Sequence, residues 1–227
     1  MRTVAPELSG GVLDVQPPHP VRAATPRPGL HRLATPTRPA LLYVPDRLPL
    51  QPRPLLVAFH QAGGAPRDML TLLRTEAERR GVLLLAPGAA RLTWDAVRDD
   101  TYGADAAALR RTLAAVLGRL PVDPDRIAVA GCADGASYAL GLGLANGDLF
   151  TRVLAYSPGR IPAGRRTGRP TVFISHGIRD TLPPAAFTGR RTAAELEEDG
   201  YHVDYVEHPH GHGTPADVVR TSAELLD

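Results

Sequence analysis

Four stretches of this chain hold the residue types and spacings that acyl-transfer chemistry uses. The first is Arg126-Ile-Ala-Val-Ala-Gly-Cys-Ala-Asp-Gly-Ala-Ser137, an apolar run that enters a helical pattern through Gly131-Cys132-Ala133-Asp134-Gly135. It has the outline of G-x-S-x-G, the nucleophile elbow, in which a tight strand-to-helix turn between two glycines holds a serine hydroxyl out beyond a sheet. The middle residue here is Ala133, and a methyl group cannot attack a carbonyl. The other three stretches are Phe59-His-Gln-Ala-Gly-Gly64, Ser175-His-Gly-Ile-Arg-Asp180 and His208-Pro-His-Gly-His-Gly-Thr-Pro215, each placed just after an apolar run.

Such stretches need a sheet to bring them together, and the chain supplies the pattern for one. Leu41–Val44, Leu55–Phe59, Val82–Leu85, Ile127–Ala130, Val153–Tyr156, Thr171–Ile174 and Val203–Val206 are short apolar runs, most of them continuous, as expected of parallel strands covered on both faces. Between them, Leu109, Leu113, Val116, Leu117 and Leu120 share one face of a helix expected to stop at Pro121, and residues 68–80 read as a helix closed by Gly81. Alternation of strand and helix predicts a three-layer α/β domain, a mostly parallel sheet with right-handed crossovers and helices on both faces. Ligands of such sheets bind beyond the C-terminal strand ends, where the polar stretches fall.

The domain is expected to span residues 40–227, after a proline-rich arm over 1–39 that carries eight of the 23 prolines. Proline lacks the backbone N–H that helices and central strands require, so the arm reads as extended; only Leu30–Leu33 are placed to pair with Ala40–Val44 as an edge hairpin. With 227 residues, 43% hydrophobic and 22% charged, the chain is long enough to bury one core. All 26 basic residues are arginine, they are scattered, and the net charge is +2. This argues against a nucleic-acid surface. The single cysteine excludes an internal disulfide. No apolar stretch matches a signal-peptide core of roughly 7–15 residues or a span of ~20, so a soluble, cytoplasmic protein without a membrane partner is expected. The sequence carries no pattern that sets an oligomeric state.

From about residue 29 onward the chain resembles the α/β-hydrolase superfamily, and within it the bacterial phospholipase/carboxylesterase type of predicted esterase. Beyond the elbow, the likeness rests on Thr93-Trp94-Asp95 with Tyr102-Gly-Ala-Asp105, Val122-Asp-Pro-Asp-Arg-Ile127, Asp134–Ala139, Ala145–Phe150 and Ser157-Pro158-Gly159. The resemblance implies a carboxylic-ester hydrolase acting on a small-molecule ester or related acyl substrate, with no cofactor and no metal. It gives Ala133 the nucleophile position, Asp180 the acid of H-G-x-x-D and His212 the base of G-H-x-x-P, with the backbone N–H groups of Ala62 and Asp134 as the oxyanion hole. The chain departs from the family at Ala133, at Cys132 where an aromatic residue is commoner, and at Gln61 where glycine is usual. Only the first removes a reacting group, since the oxyanion loop donates a backbone N–H. Serine-dependent hydrolysis is therefore expected to be absent.

Other residues have plainer readings. Cys132 is expected to turn back toward the core, because the turn aims only its central residue at the base. Ser137 is expected to lie about 6 Å farther along the helix, too deep to reach His212. His60 and His176 are expected to brace loops, and Trp94 to pack. Alternation would point His208, His210 and His212 to one side of an extended strand, but Glu207 would face the other way and no cysteine is near, which disfavours a metal site. Three accounts of Ala133 follow: an engineered serine-to-alanine change in an esterase, a lyase, isomerase or cyclase that uses His212 as acid/base, or a ligand-binding pseudoenzyme.

Overall fold

The structure is a computed structural model that describes residues 8–15, 27–35, 39–46, 52–182 and 188–227. Eight strands form one sheet: β1 (Gly29–Leu33), β2 (Ala40–Val44), β3 (Arg53–Phe59), β4 (Leu83–Ala86), β5 (Val122–Cys132), β6 (Arg152–Tyr156), β7 (Thr171–Gly177) and β8 (Val203–His208). Their spatial order is β1-β2-β4-β3-β5-β6-β7-β8. β2 runs antiparallel to both its neighbours and every other pair is parallel. The expected hairpin is the β1–β2 pair, with Leu33 opposite Ala40.

Burial explains the continuous apolar runs. Every residue of β3 and β4 is buried, because helices cover both faces. Alternate β3 residues Leu55, Val57 and Phe59 face one core with α3 (Ala104–Leu117), α4 (Asp134–Ala145) and α5 (Gly189–Glu198). Leu56 and Ala58 face the other, with α1 (Pro66–Arg80) and α6 (Ala216–Ala223). A short helix, α2 (Asp95–Asp99), precedes α3. α1 starts with proline in its first turn, and the Asp68 carboxylate accepts the Ala65 N–H at 2.8 Å, satisfying an otherwise orphaned donor. It ends at Gly81, whose φ of 68° is the left-handed cap a glycine adopts without cost. α3 stops at Leu117, before Pro121, with Gly118 as its cap; β5 begins at Val122, and the four residues between make the turn into the sheet.

Part of the proline-rich segment belongs to the folded body. Leu13 is fully buried in the α3–α5 core. Its N–H donates to Asn146 Oδ1 at 2.7 Å, and Asn146 Nδ2 donates to the Gly11 carbonyl at 2.9 Å. Pro6, Pro17, Pro18, Pro20, Pro26 and Pro36 lie outside the described residues. Among the described residues no helix is long and apolar enough to cross a membrane.

Candidate active site

β5 ends at Cys132 and α4 begins at Asp134, so Ala133 alone makes the turn. Its φ of 49° and ψ of −115° lie where L-residues are strained. The two glycines are steric requirements of the same turn. A Cβ on Gly131 would fall 2.1 Å from the Gly135 carbonyl oxygen, and one on Gly135 would fall 2.1 Å from the Phe59 oxygen. The backbone of α4 thus presses against the end of β3. The Ala133 N–H donates to the Tyr156 carbonyl at 2.9 Å, which ties the turn to β6.

The loop after β3 is braced from below. His60 Nδ1 donates to the Gln61 carbonyl at 2.8 Å, and His60 Nε2 accepts the Ala89 N–H at 3.2 Å. Buried Trp94 donates from Nε1 to the His60 carbonyl at 2.8 Å and stacks on Tyr138 of α4, with centroids 4.8 Å apart. Thr93 Oγ1 donates to the Asp134 carboxylate at 2.6 Å. His60 braces and Trp94 packs, as expected.

Asp180 follows β7 and His212 follows β8. His212 Nδ1 lies 2.8 Å from Asp180 Oδ2, and since an ionised carboxylate only accepts, the ring nitrogen carries the proton. The Asp180 side chain is buried while that of His212 is 43% exposed, so the pair is anchored at one end and open at the other. Burial alone would raise the Asp180 pKa; the Leu182 N–H at 2.8 Å, the His212 hydrogen bond and the nearby histidines outweigh it and hold the carboxyl below its ordinary value. Buried His176 places Nε2 3.2 Å from the same Oδ2. Two histidines therefore share one carboxylate oxygen, a pairing beyond the loop-bracing part expected of His176.

Ala133 and His212 line one cleft of about 290 Å³, with Gln61, Asp68, Met69, Leu72, Cys132, Tyr156, Ser157, Gly213 and Thr214. The structure thus brings together three sequence-predicted stretches at one opening. Cys132 corrects an expectation in part: it packs against the α1–α6 core but also forms cleft wall, 3.7 Å from Thr214 Oγ1. The reason is that β5 pairing continues through Cys132, opposite Tyr156, on the face where the cleft opens. Burial pushes its thiol up to about 11, which keeps it protonated and non-nucleophilic near neutrality. Ser137 is buried, and its Oγ accepts the Gly159 N–H at 2.9 Å, consistent with a depth beyond the site.

The three histidines of the last stretch do not converge. His208 is buried, with its pKa lowered by burial and by neighbouring His210 and His176, whereas His210 and His212 are exposed. Among the described residues no group of three or more potential ligands is placed to hold a metal ion. Sequence reasoning missed the cleft walls from α1 (Asp68, Met69, Leu72) and Ser157 after β6. The Ser157-Pro158-Gly159 landmark marked the place but carried no sign of its geometry.

No protein-family model matches the chain, and no curated protein matches it in sequence. Similar solved structures carry the comparison. A carboxylesterase from Mesorhizobium loti is 17% identical with a TM-score of 0.66, covering 87% of this chain and 98% of its own. The propionate-bound thermophilic esterase Est2 of Thermogutta terrifontis is 18% identical with a TM-score of 0.66, over 87% and 92%. A bacterial heroin esterase is 21% identical with a TM-score of 0.67, over 87% and 82%. The chain has the α/β-hydrolase fold, and these three structural neighbours are esterases.

Proposed function

We propose that the chain is a carboxylic-ester hydrolase scaffold in which Ala133 occupies the place of the nucleophilic serine, so that serine-dependent hydrolysis is absent. One observation carries this reading: Ala133 sits in a strained turn between two obligatory glycines and opens onto the same cleft as a hydrogen-bonded His212–Asp180 pair. A hydroxyl at position 133 would give its proton to His212 as it attacked an acyl carbon. Asp180, held ionised by its N–H and imidazole donors, would orient the ring and stabilise the imidazolium. The N–H groups of Ala62 and Asp134 would receive the oxyanion. Asp134 opens α4, so its N–H has no partner within the helix and sits at the positive end of the helix dipole. The substrate class is a small acyl ester, consistent with the size of the cleft and with the esterases among the structural neighbours.

Removing the serine of such a unit costs on the order of 10⁶-fold in kcat, or roughly 8 kcal/mol. The expected outcome is therefore that the native chain leaves p-nitrophenyl butyrate unhydrolysed while Ala133→Ser gains turnover by several orders of magnitude, lost again when His212→Ala is added. Equal inertness of the native chain and Ala133→Ser would refute the reading. A second reading is favoured by the intact His212–Asp180 bond beside a methyl group: acid/base chemistry by His212 without an acyl-enzyme, or ligand binding without turnover. A reaction of the native chain that His212→Ala abolishes would support the first of these, and ligand binding that His212→Ala leaves in place would support the second.

A further inference from the structure

Two anomalies meet at Ser157. Its φ is 51°, a left-handed conformation that only four non-glycine residues adopt among those described, and such strain persists where surrounding structure enforces it. The residue is 97% buried, and its Oγ has no hydrogen-bond partner among the described residues. A buried hydroxyl without a partner is destabilising, and native structures seldom keep one without use.

The sheet register gives the use. Cys132 pairs with Tyr156 across β5 and β6, so Ala133 and Ser157 are the residues that directly follow the last paired positions of two adjacent strands, both at positive φ. Both line the cleft with His212. β3 and β6 lie on opposite flanks of β5, which puts Ala62 on one side of Ala133 and Ser157 on the other. No hydrogen bond holds the Ser157 hydroxyl, and the residue forms part of the cleft wall.

We propose that Ser157 is a ligand-binding residue whose hydroxyl donates a hydrogen bond to the second oxygen of an ester or carboxylate ligand seated over Ala133. The first oxygen is the one that the Ala62 and Asp134 N–H groups receive, so the inference rests on the esterase-scaffold reading. Binding relieves an unmet donor as it adds a contact, and the ligand class is a short monocarboxylate or its ester.

The experiment compares Ala133→Ser with Ala133→Ser carrying Ser157→Gly or Ser157→Ala. It measures kcat/KM for p-nitrophenyl butyrate, the inhibition constant of butyrate, and the thermal midpoint. One lost hydrogen bond predicts that kcat/KM falls about tenfold and the butyrate inhibition constant rises about tenfold in both variants. The midpoint should hold or rise, most clearly for Ser157→Gly, since strain and an unmet donor leave together. A purely structural serine would instead lower the midpoint. Unchanged kcat/KM and inhibition would overturn the Ser157 proposal and leave the esterase reading standing. Absent turnover in Ala133→Ser itself would overturn that reading, and this proposal with it.

Discussion

At the scale of single residues, the cleft holds two side chains of reactive type in opposite environments. Cys132 stands next to Ala133 at the cleft, yet burial raises its thiol to about 11 from an ordinary 9.0. That shift cuts the thiolate fraction at pH 8 by about 100-fold. Because Cys132 is the sole cysteine, alkylation by iodoacetamide reports on it alone. Modification of the folded chain at pH 8 is expected to run about 100-fold slower than in urea, and equal rates would show a thiol open to solvent. His212 is the contrasting case, a ring fixed at one nitrogen by a buried carboxylate and exposed on its other side.

At the scale of elements, the site depends on how closely α4 approaches the end of β3. Gly135 lies where a Cβ would meet the Phe59 oxygen at 2.1 Å and the His60 oxygen at 2.6 Å. These are backbone atoms of a core strand and cannot turn aside as a side chain does. Gly135→Ala is expected to destabilise the chain by about 3 kcal/mol or more, read as a lower urea midpoint. Combined with Ala133→Ser, it should also prevent the gain of ester turnover, because Asp134 and the loop at Ala62 would be forced apart. A stable, active double variant would show that the close approach is dispensable. The aromatic stack of Trp94 on Tyr138, with Phe59 edge-on to both at centroid distances of 5.0 and 5.1 Å, supports the same junction from beneath.

At the scale of the whole molecule, buried carboxylates set opposing responses to acid. Asp105 of α3 is 4% exposed, and burial pushes it up to about 6 from 3.8, reinforced by the Asp95 charge and opposed by the N–H groups of Ala90 and Asp95. Its folded-state pKa exceeds its unfolded value, so its contribution to stability is full below pH 3.8 and is lost as pH rises through about 6. Asp180 is held low, so its contribution is present above 3.8 and is lost on further acidification. Between pH 7.5 and 4.5 Asp105 works against His208, whose lowered pKa makes its own contribution fall as pH drops below 6.5. The unfolding free energy should gain about 2 kcal/mol from Asp105 as pH falls across that window. Asp105→Asn should flatten the rise, as read from urea unfolding at several pH values; an unchanged slope would remove Asp105 as its source.

The sequence by itself determined the strand set, the three-layer α/β class, the edge hairpin and the glycine-bounded turn at Ala133. These are local matters: runs of Leu and Val seek burial on both faces, Gly81 ends α1, and Gly131 and Gly135 mark backbone contacts that tolerate no side chain. It also placed Asp180 and His212 at strand ends, and the fold brought them within 2.8 Å. Only the tertiary structure decided which residues became neighbours. Register set Ser157 beside Ala133, the loop after β7 gave His176 and His212 one carboxylate oxygen, and Asn146 drew Leu13 of the proline-rich segment into the core. Strand pairing across distant segments fixes those contacts, and no spacing along the chain encodes them, because a register is chosen by the packing of the whole sheet.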